Sequence, residues 1–232
     1  MKPEDLAHMR STLGRAIGRA LLPGASPDGP SSARVSQGAE RAAESPEELV
    51  SSFRRELEAL AGVVHEVSGV EAARCRVREI ARDQRATRVL SWEGQHLRVD
   101  GLLGDLEGDG LQVMTGPVPS ETEARAASLA TLERAELGLT GADAGLADTG
   151  SIVVRSGPGR LRLASLLPPV HVALLPRSGL WPSLTAWLAE ESSTVQDVSN
   201  LVIITGPSRT ADIEMTLSRG VHGPGELHVV LY

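Results

Sequence analysis

Leu201-Val202-Ile203-Ile204-Thr205-Gly206-Pro207-Ser208-Arg209-Thr210-Ala211-Asp212-Ile213-Glu214 is the stretch on which the reading of this chain turns. Its first four residues form a short apolar run closed by a Gly-Pro turn, the pattern of a buried strand. Ile213 and Leu217 then stand one helical turn apart. The expected order is strand, turn, helix start. In a parallel α/β sheet such a junction lies at the carboxyl end of a strand, where ligands usually bind. Two readings of the junction stand side by side. In one it is an anion cradle: free N–H groups at a helix start and the Ser208 and Thr210 hydroxyls hold oxygens, and Arg209 clamps them with a planar fork. In the other, Thr210 is a helix N-cap, and Asp212 and Glu214 complement the helix dipole in the first turn.

Upstream, Ser45-Pro46-Glu47-Glu48 carries a helix-start signature. A serine N-cap is followed by proline at the first helical position and by glutamate three residues after the cap. That helix is expected to reach about residue 60. Strands are expected from 63, at 87–91, 111–115 and 152–154, and at 170–175, 201–205 and 227–231, with helices over 71–85 and 122–136. Residues 93–110, rich in Gly and Asp, read as an excursion. The alternation predicts an α/β fold: a mostly parallel open sheet with helices on both faces, built from residues 45–232. Leu6, Met9, Leu13, Ile17 and Leu21 make one helical stripe, and residues 23–44 are small, polar and rich in Pro and Gly. Residues 1–44 therefore read as an N-terminal helical arm on a flexible linker. The stripe is expected to dock on the body or on a sister subunit, as in a homo-oligomer, with a foreign partner or a disordered arm as the alternatives.

Composition narrows the function classes. The chain has 232 residues and is 41% hydrophobic, enough for a sizeable core, yet only 2% aromatic. Few rings and a net charge of −7 argue against a nucleic-acid binder, which needs stacking platforms and a basic surface. No apolar run approaches the length of a membrane span, and the first twenty residues hold no signal-type apolar core, so the expected location is the cytoplasm. Cys75 is the only cysteine, so a cysteine-ligated iron–sulfur cluster cannot be held by this chain alone. Lys2 is the only lysine, which removes a Schiff-base lysine from the body and excludes a Walker-A site at residues 206–210.

Other stretches carry further candidates. Asp148-Thr149-Gly150-Ser151 precedes the Ile152-Val153-Val154 strand, and Gly150 either supplies an unusual backbone angle or lets a ligand come close. His222-Gly223-Pro224-Gly225 is expected to join the last helix to the last strand; the turn explains the glycines but does not demand His222, which can donate to a ligand or move a proton. His171 opens a strand after Pro168-Pro169, and His228 alternates with apolar neighbours. These histidines lack a short metal-binding spacing, and no metal is expected.

The segments Ala147-Asp148-Thr149-Gly150-Ser151, Leu166-Leu167-Pro168-Pro169-Val170-His171, the 206–214 stretch and Gly220-Val221-His222-Gly223-Pro224-Gly225 resemble, in the same order, the motifs of the LUD-domain family. Within it the resemblance is to the lactate utilisation protein C group, over roughly residues 45–232. It implies a NagB/RpiA/CoA-transferase-like fold and a part in bacterial oxidation of L-lactate to pyruvate. It also implies work alongside iron–sulfur partner proteins that carry the clusters, with no cofactor in this chain. The site it implies comprises Thr149, Gly150, Gly206, Ser208, Arg209, Thr210, Asp212, Glu214, His222 and Gly223 around a small anionic ligand, with no catalytic group assigned. Asp148 stands where many members have glutamate, which keeps the charge but shortens the reach. The wider fold group leaves a second reading open: a stand-alone enzyme on a small phosphorylated or CoA-linked substrate.

Overall fold

A computed structural model describes residues 45–191, 200–211, 217–219 and 223–232. The expected arm, residues 1–44, lies outside them. The body opens on helix α1, Pro46–Ala59, and the capping box read from the sequence is present: the Glu48 N–H donates to Ser45 Oγ and the Ser45 N–H to Glu48 Oε2. Val50, Phe53 and Leu57, spaced three and four apart, are its buried stripe. Phe53 and Leu57 are fully buried, each worth roughly 1.5–3 kcal/mol relative to exposure.

Six strands form the main sheet: β1 (Val63–Glu66), β2 (Arg88–Ser91), β3 (Gln112–Met114), β4 (Leu137–Gly141), β7 (Val170–Leu175) and β12 (Glu226–Leu231). Their order is β1-β12-β7-β4-β2-β3, and every pair is parallel. All of β7 and nearly all of β12 are buried, as expected of apolar runs covered on both faces. Helices α2 (Gly69–Asp83), α3 (Leu102–Gly108) and α4 (Thr122–Leu132) fall between the early strands. The α/β class and the mostly parallel sheet are thus as read from the sequence. The 93–110 excursion is more ordered than expected: Leu102 and Leu106, one turn apart, are fully buried in α3. Two of its three aspartates are ion-pair partners, Asp105 of Arg74 (2.8 Å to Nε) and Asp109 of Arg78 (2.6 Å to Nε), and they tie α3 to α2.

A second, four-stranded sheet runs β8-β5-β6-β9, with β5 (Ala144–Leu146), β6 (Ser151–Ser156), β8 (Leu180–Trp181) and β9 (Asn200–Ile204). The chain passes from β4 into it through Ala142 and Asp143 alone. Helix α5, Leu184–Glu190, sets Trp187 against Ala144, Leu146 and Val153 in a small core of its own.

Three expectations are corrected here. The 201–204 run is not a strand of the parallel sheet: β9 pairs antiparallel with β6 as an edge strand, and Ile203 is 40% exposed. A short apolar run does not say which sheet it joins. The helix expected after it is absent at its described ends: β10 (Arg209–Ala211) pairs antiparallel with β11 (Leu217–Arg219), Thr210 facing Ser218. Thr210 is therefore a strand residue, not an N-cap, and Leu217 lies in β11. Pairing with a distant strand overrides a cap pattern that is purely local. Consequently, residues 220–225 join a strand, not a helix, to β12. Among the described residues no helix is long and apolar enough to cross a membrane.

Register places His228 with Val63 and Val172 on one face of the main sheet, and His171 with Leu227 and Gly138 on the other. On the second face a 3-10 turn, Arg162–Ser165, lies directly on Gly138: a Cβ there would sit 1.9 Å from the Ala164 carbonyl oxygen. Gly138→Ala is expected to lower the stability by about 1–3 kcal/mol, because backbone must move. Gly104→Ala in α3, with open space at its Cβ, is expected to be neutral or slightly stabilising. Urea unfolding midpoints of the two variants check the contrast.

Candidate functional site

The turn after β9 is held by backbone. The Ser208 N–H donates to the Pro224 carbonyl at 2.8 Å, and the Cβ position of Gly223 lies 3.6 Å from Ser208 Cβ. Gly206 has φ +144°, a conformation that favours glycine, and packs against Leu60. Together these loops roof a cavity of about 110 Å³. Its walls come from Ser165 and Leu166, His171 of β7, Leu227 of β12, Ile204, residues 206–208 and Pro224. The cavity is mostly apolar with three polar side chains, Ser165, Ser208 and His171, which suits a ligand of a few heavy atoms.

Beside it, Thr149, Ser151 and Thr205 bring three hydroxyls together. Ser151 Oγ lies 2.8 Å from Thr149 Oγ1 and 3.0 Å from Thr205 Oγ1. With one proton to give, Ser151 donates to one neighbour and accepts from the other. Thr149 is exposed, and Thr205 sits in the chain between the cavity residues Ile204 and Gly206.

The predicted site residues therefore fall into groups. Gly206 and Ser208 line the cavity, and Gly223 lies against Ser208 next to it. Thr149 belongs to the hydroxyl cluster with Ser151 and Thr205 and does not line the cavity. Gly150 has φ +63°, as the sequence suggested, but the space before it is taken by α1: a Cβ would lie 2.3 Å from the Leu57 nitrogen. What approaches Gly150 closely is the helix. Arg209 and Thr210 open β10 directly after Ser208. Asp212, Glu214 and His222 lie outside the described residues. The expected position at the carboxyl edge of the parallel sheet also changes. His171 and Leu227 are the second residues of β7 and β12, so the cavity sits by the amino ends of those strands.

Sequence reasoning missed Thr140, although a hydroxyl inside the buried run Leu137–Gly141 was a visible signal. Thr140 Oγ1 lies 2.9 Å from His171 Nε2. His171 is only 1% exposed, and burial, helped by nearby His228, lowers its pKa to about 4. At neutral pH the ring is uncharged and offers a hydrogen bond, not a cation. On the opposite face His65 and His228 stack at 5.2 Å between ring centres, with Nε2 of the first 2.9 Å from Nδ1 of the second. Burial, then His228 and Arg76, lower the His65 pKa to about 4 as well.

This architecture is that of a solved protein. The crystal structure of a DUF162 family protein from Deinococcus radiodurans superposes with a TM-score of 0.57, over 81% of this chain and 98% of that one, at 19% identity. The LUD domain matches residues 50–232, and the chain belongs to the LUD-domain family. Proteins named lactate utilization protein C are similar to it in sequence. That of Macrococcus caseolyticus is 40% identical over 103 residues, 43% of this chain and 45% of the relative. That of Exiguobacterium sp. is 42% identical over 102 residues (42% and 44%), and that of Halalkalibacterium halodurans 33% over 149 residues (62% of each). The chain spans about half the length of the curated relatives it matches.

The buried neutral histidines set a pH dependence. Between pH 6.5 and 4 the unfolded chain binds protons at His171 and His65 that the folded chain does not. Their contribution to stability is thus full above pH 6.5 and is lost as pH falls toward 4. From pH 7 to pH 5 the loss at His171 is on the order of 2 kcal/mol. Urea unfolding at the two pH values is expected to show the drop, and His171→Gln is expected to shrink it.

Proposed function

We propose that this chain is a component of bacterial L-lactate utilisation, the oxidation of L-lactate to pyruvate. In this reading it acts with iron–sulfur partner proteins and binds a small anionic ligand at the cavity under residues 206–208. The observation that carries the reading is the 40% identity over 103 residues to a lactate utilization protein C, within a chain that belongs to the LUD-domain family. A single cysteine, Cys75, supports placing the clusters in partners, since such clusters need several thiolates.

The cavity's chemistry suits a small carboxylate. His171, neutral at physiological pH, can donate one hydrogen bond from a fixed ring, and the Ser208 hydroxyl can donate another. The apolar walls at Ile204 and Leu227 would take a methyl group. The charge would come from Arg209, the residue that follows Ser208 into β10. In this reading the chain holds and orients the anion, and electrons pass through the partners.

Deleting the gene in its host is expected to abolish growth on L-lactate and to leave growth on pyruvate intact. Unimpaired growth on L-lactate would remove the proposal. For the ligand, Arg209→Ala is expected to weaken L-lactate binding by roughly 1.5–3 kcal/mol, the loss of one charge-assisted pair. Unchanged affinity in calorimetry would take Arg209 out of the site.

A further inference from the structure

The parallel sheet has a switch point between β2 and β4. From β2 the chain moves outward to β3, whereas the next strand of this sheet after β4 is β7, on the other side. In open α/β sheets ligands favour the crevice at the carboxyl ends of the strands that flank such a point. Here those ends lead into Trp92, Glu93 and Asp143, at the opposite ends of the strands from the cavity at residues 206–208.

A larger cavity, about 290 Å³, opens at this edge. One wall is Gly116-Pro117-Val118, which follows β3; the other is the turn Ser156-Gly157-Pro158-Gly159-Arg160-Leu161-Arg162, which follows β6. The turn lies across the strand ends, since the Glu93 N–H donates to the Gly159 carbonyl at 2.9 Å. Side chains at Gly116 or Gly157 would meet nothing within 4 Å, so the space before both is open.

Two arginines belong to this wall. Arg160 is held on three sides. Its Nη1 lies 3.4 Å from the Asp143 carboxylate, its Nε donates to His96 Nδ1 at 3.3 Å, and its guanidinium carbon stands 5.6 Å from the Trp92 ring centre. Asp143 is already engaged more closely by Arg155, through Nη2 at 2.6 Å and the backbone N–H at 2.9 Å. One nearly buried carboxylate therefore serves two guanidiniums, and the Arg160 charge is only partly balanced. Arg162 is exposed and has no ion-pair partner among the described residues. Glu93 stands next to His96: its Oε2 lies 2.8 Å from the Cβ position of Gly159, the His96 ring lies 2.7 Å from the same point, and Glu93 Oε2 accepts from Gln95 Nε2 at 3.2 Å.

We propose that this cavity is a second ligand site, one that takes the phosphate group of a small phosphorylated molecule. Arg160, fixed by Asp143, His96 and Trp92, and Arg162, from the same turn, clamp the phosphate. The open space at Gly116 and Gly157 takes the rest of the ligand. A phosphate dianion matches two guanidinium forks, whereas a carboxylate is satisfied by one. The proposal goes beyond the lactate reading and uses none of its residues.

Calorimetry on the full chain with inorganic pyrophosphate tests it, with citrate as the carboxylate comparison. Saturable one-site pyrophosphate binding is expected, weakened about tenfold or more in Arg162→Gln and unchanged in Arg209→Ala. Arg162 is exposed, so its variant is expected to fold normally. Backbone amide shifts on titration are expected at Gly116, Gly157 and Gly159. The proposal is overturned by absence of saturable binding, by full affinity in Arg162→Gln, by loss in Arg209→Ala instead, or by binding of citrate but not pyrophosphate.

Discussion

The structure depends on the insertion of its last strand. β12 pairs in parallel with β1 on one side and β7 on the other, joining the start of the body to its middle. Leu227, Val229, Val230 and Leu231 are buried along it. Parallel pairing of this kind closes a chain loop from residue 66 to residue 226, whose entropy must be offset by apolar burial. The same strand carries both histidine arrangements. His228 stacks on His65 beneath one face, and Leu227 stands beside His171 at the candidate cavity on the other.

The chain first crosses from the main sheet to the second through only two residues, Ala142 and Asp143. Helix α1 braces the join: it packs on β1 and β8, and its backbone fills the space at Gly150. Asp143, with its side chain 5% exposed, is stabilised in that narrow passage by Arg155 and Arg160. A buried carboxylate without such partners would be strongly unfavourable, so the two arginines are drawn to the sheet edge by the fold itself. The geometry places a small, largely apolar cavity with a neutral histidine at one end of the parallel strands and a wider, arginine-lined one at the other.

Much of this was legible in the residues. The Ser45–Glu48 pattern determines a helix start because its hydrogen bonds close within four residues. The runs at 170–175 and 227–231 mark strands by their apolar continuity, and both are buried in the parallel sheet, although the similar run at 201–204 is not. The four motif segments fall within the residues that place the chain in its family. Asp105 and Asp109 misled, because their partners Arg74 and Arg78 lie thirty-one residues away in sequence.

What the sequence by itself determined, then, is the local and the repeated: caps, periodicity, core composition and family motifs, all set by interactions a few residues long. Tertiary structure alone decided that β9 leaves the parallel sheet for an antiparallel one and that Thr210 belongs to an antiparallel strand pair instead of a helix cap. It also decided that the cavity lies at the amino ends of β7 and β12, and that Gly150 yields its space to a helix, not a ligand. Each of these is a choice of pairing or packing partner. That choice is made by which distant surfaces bury the most apolar area with their hydrogen bonds satisfied, a quantity no short window of residues contains.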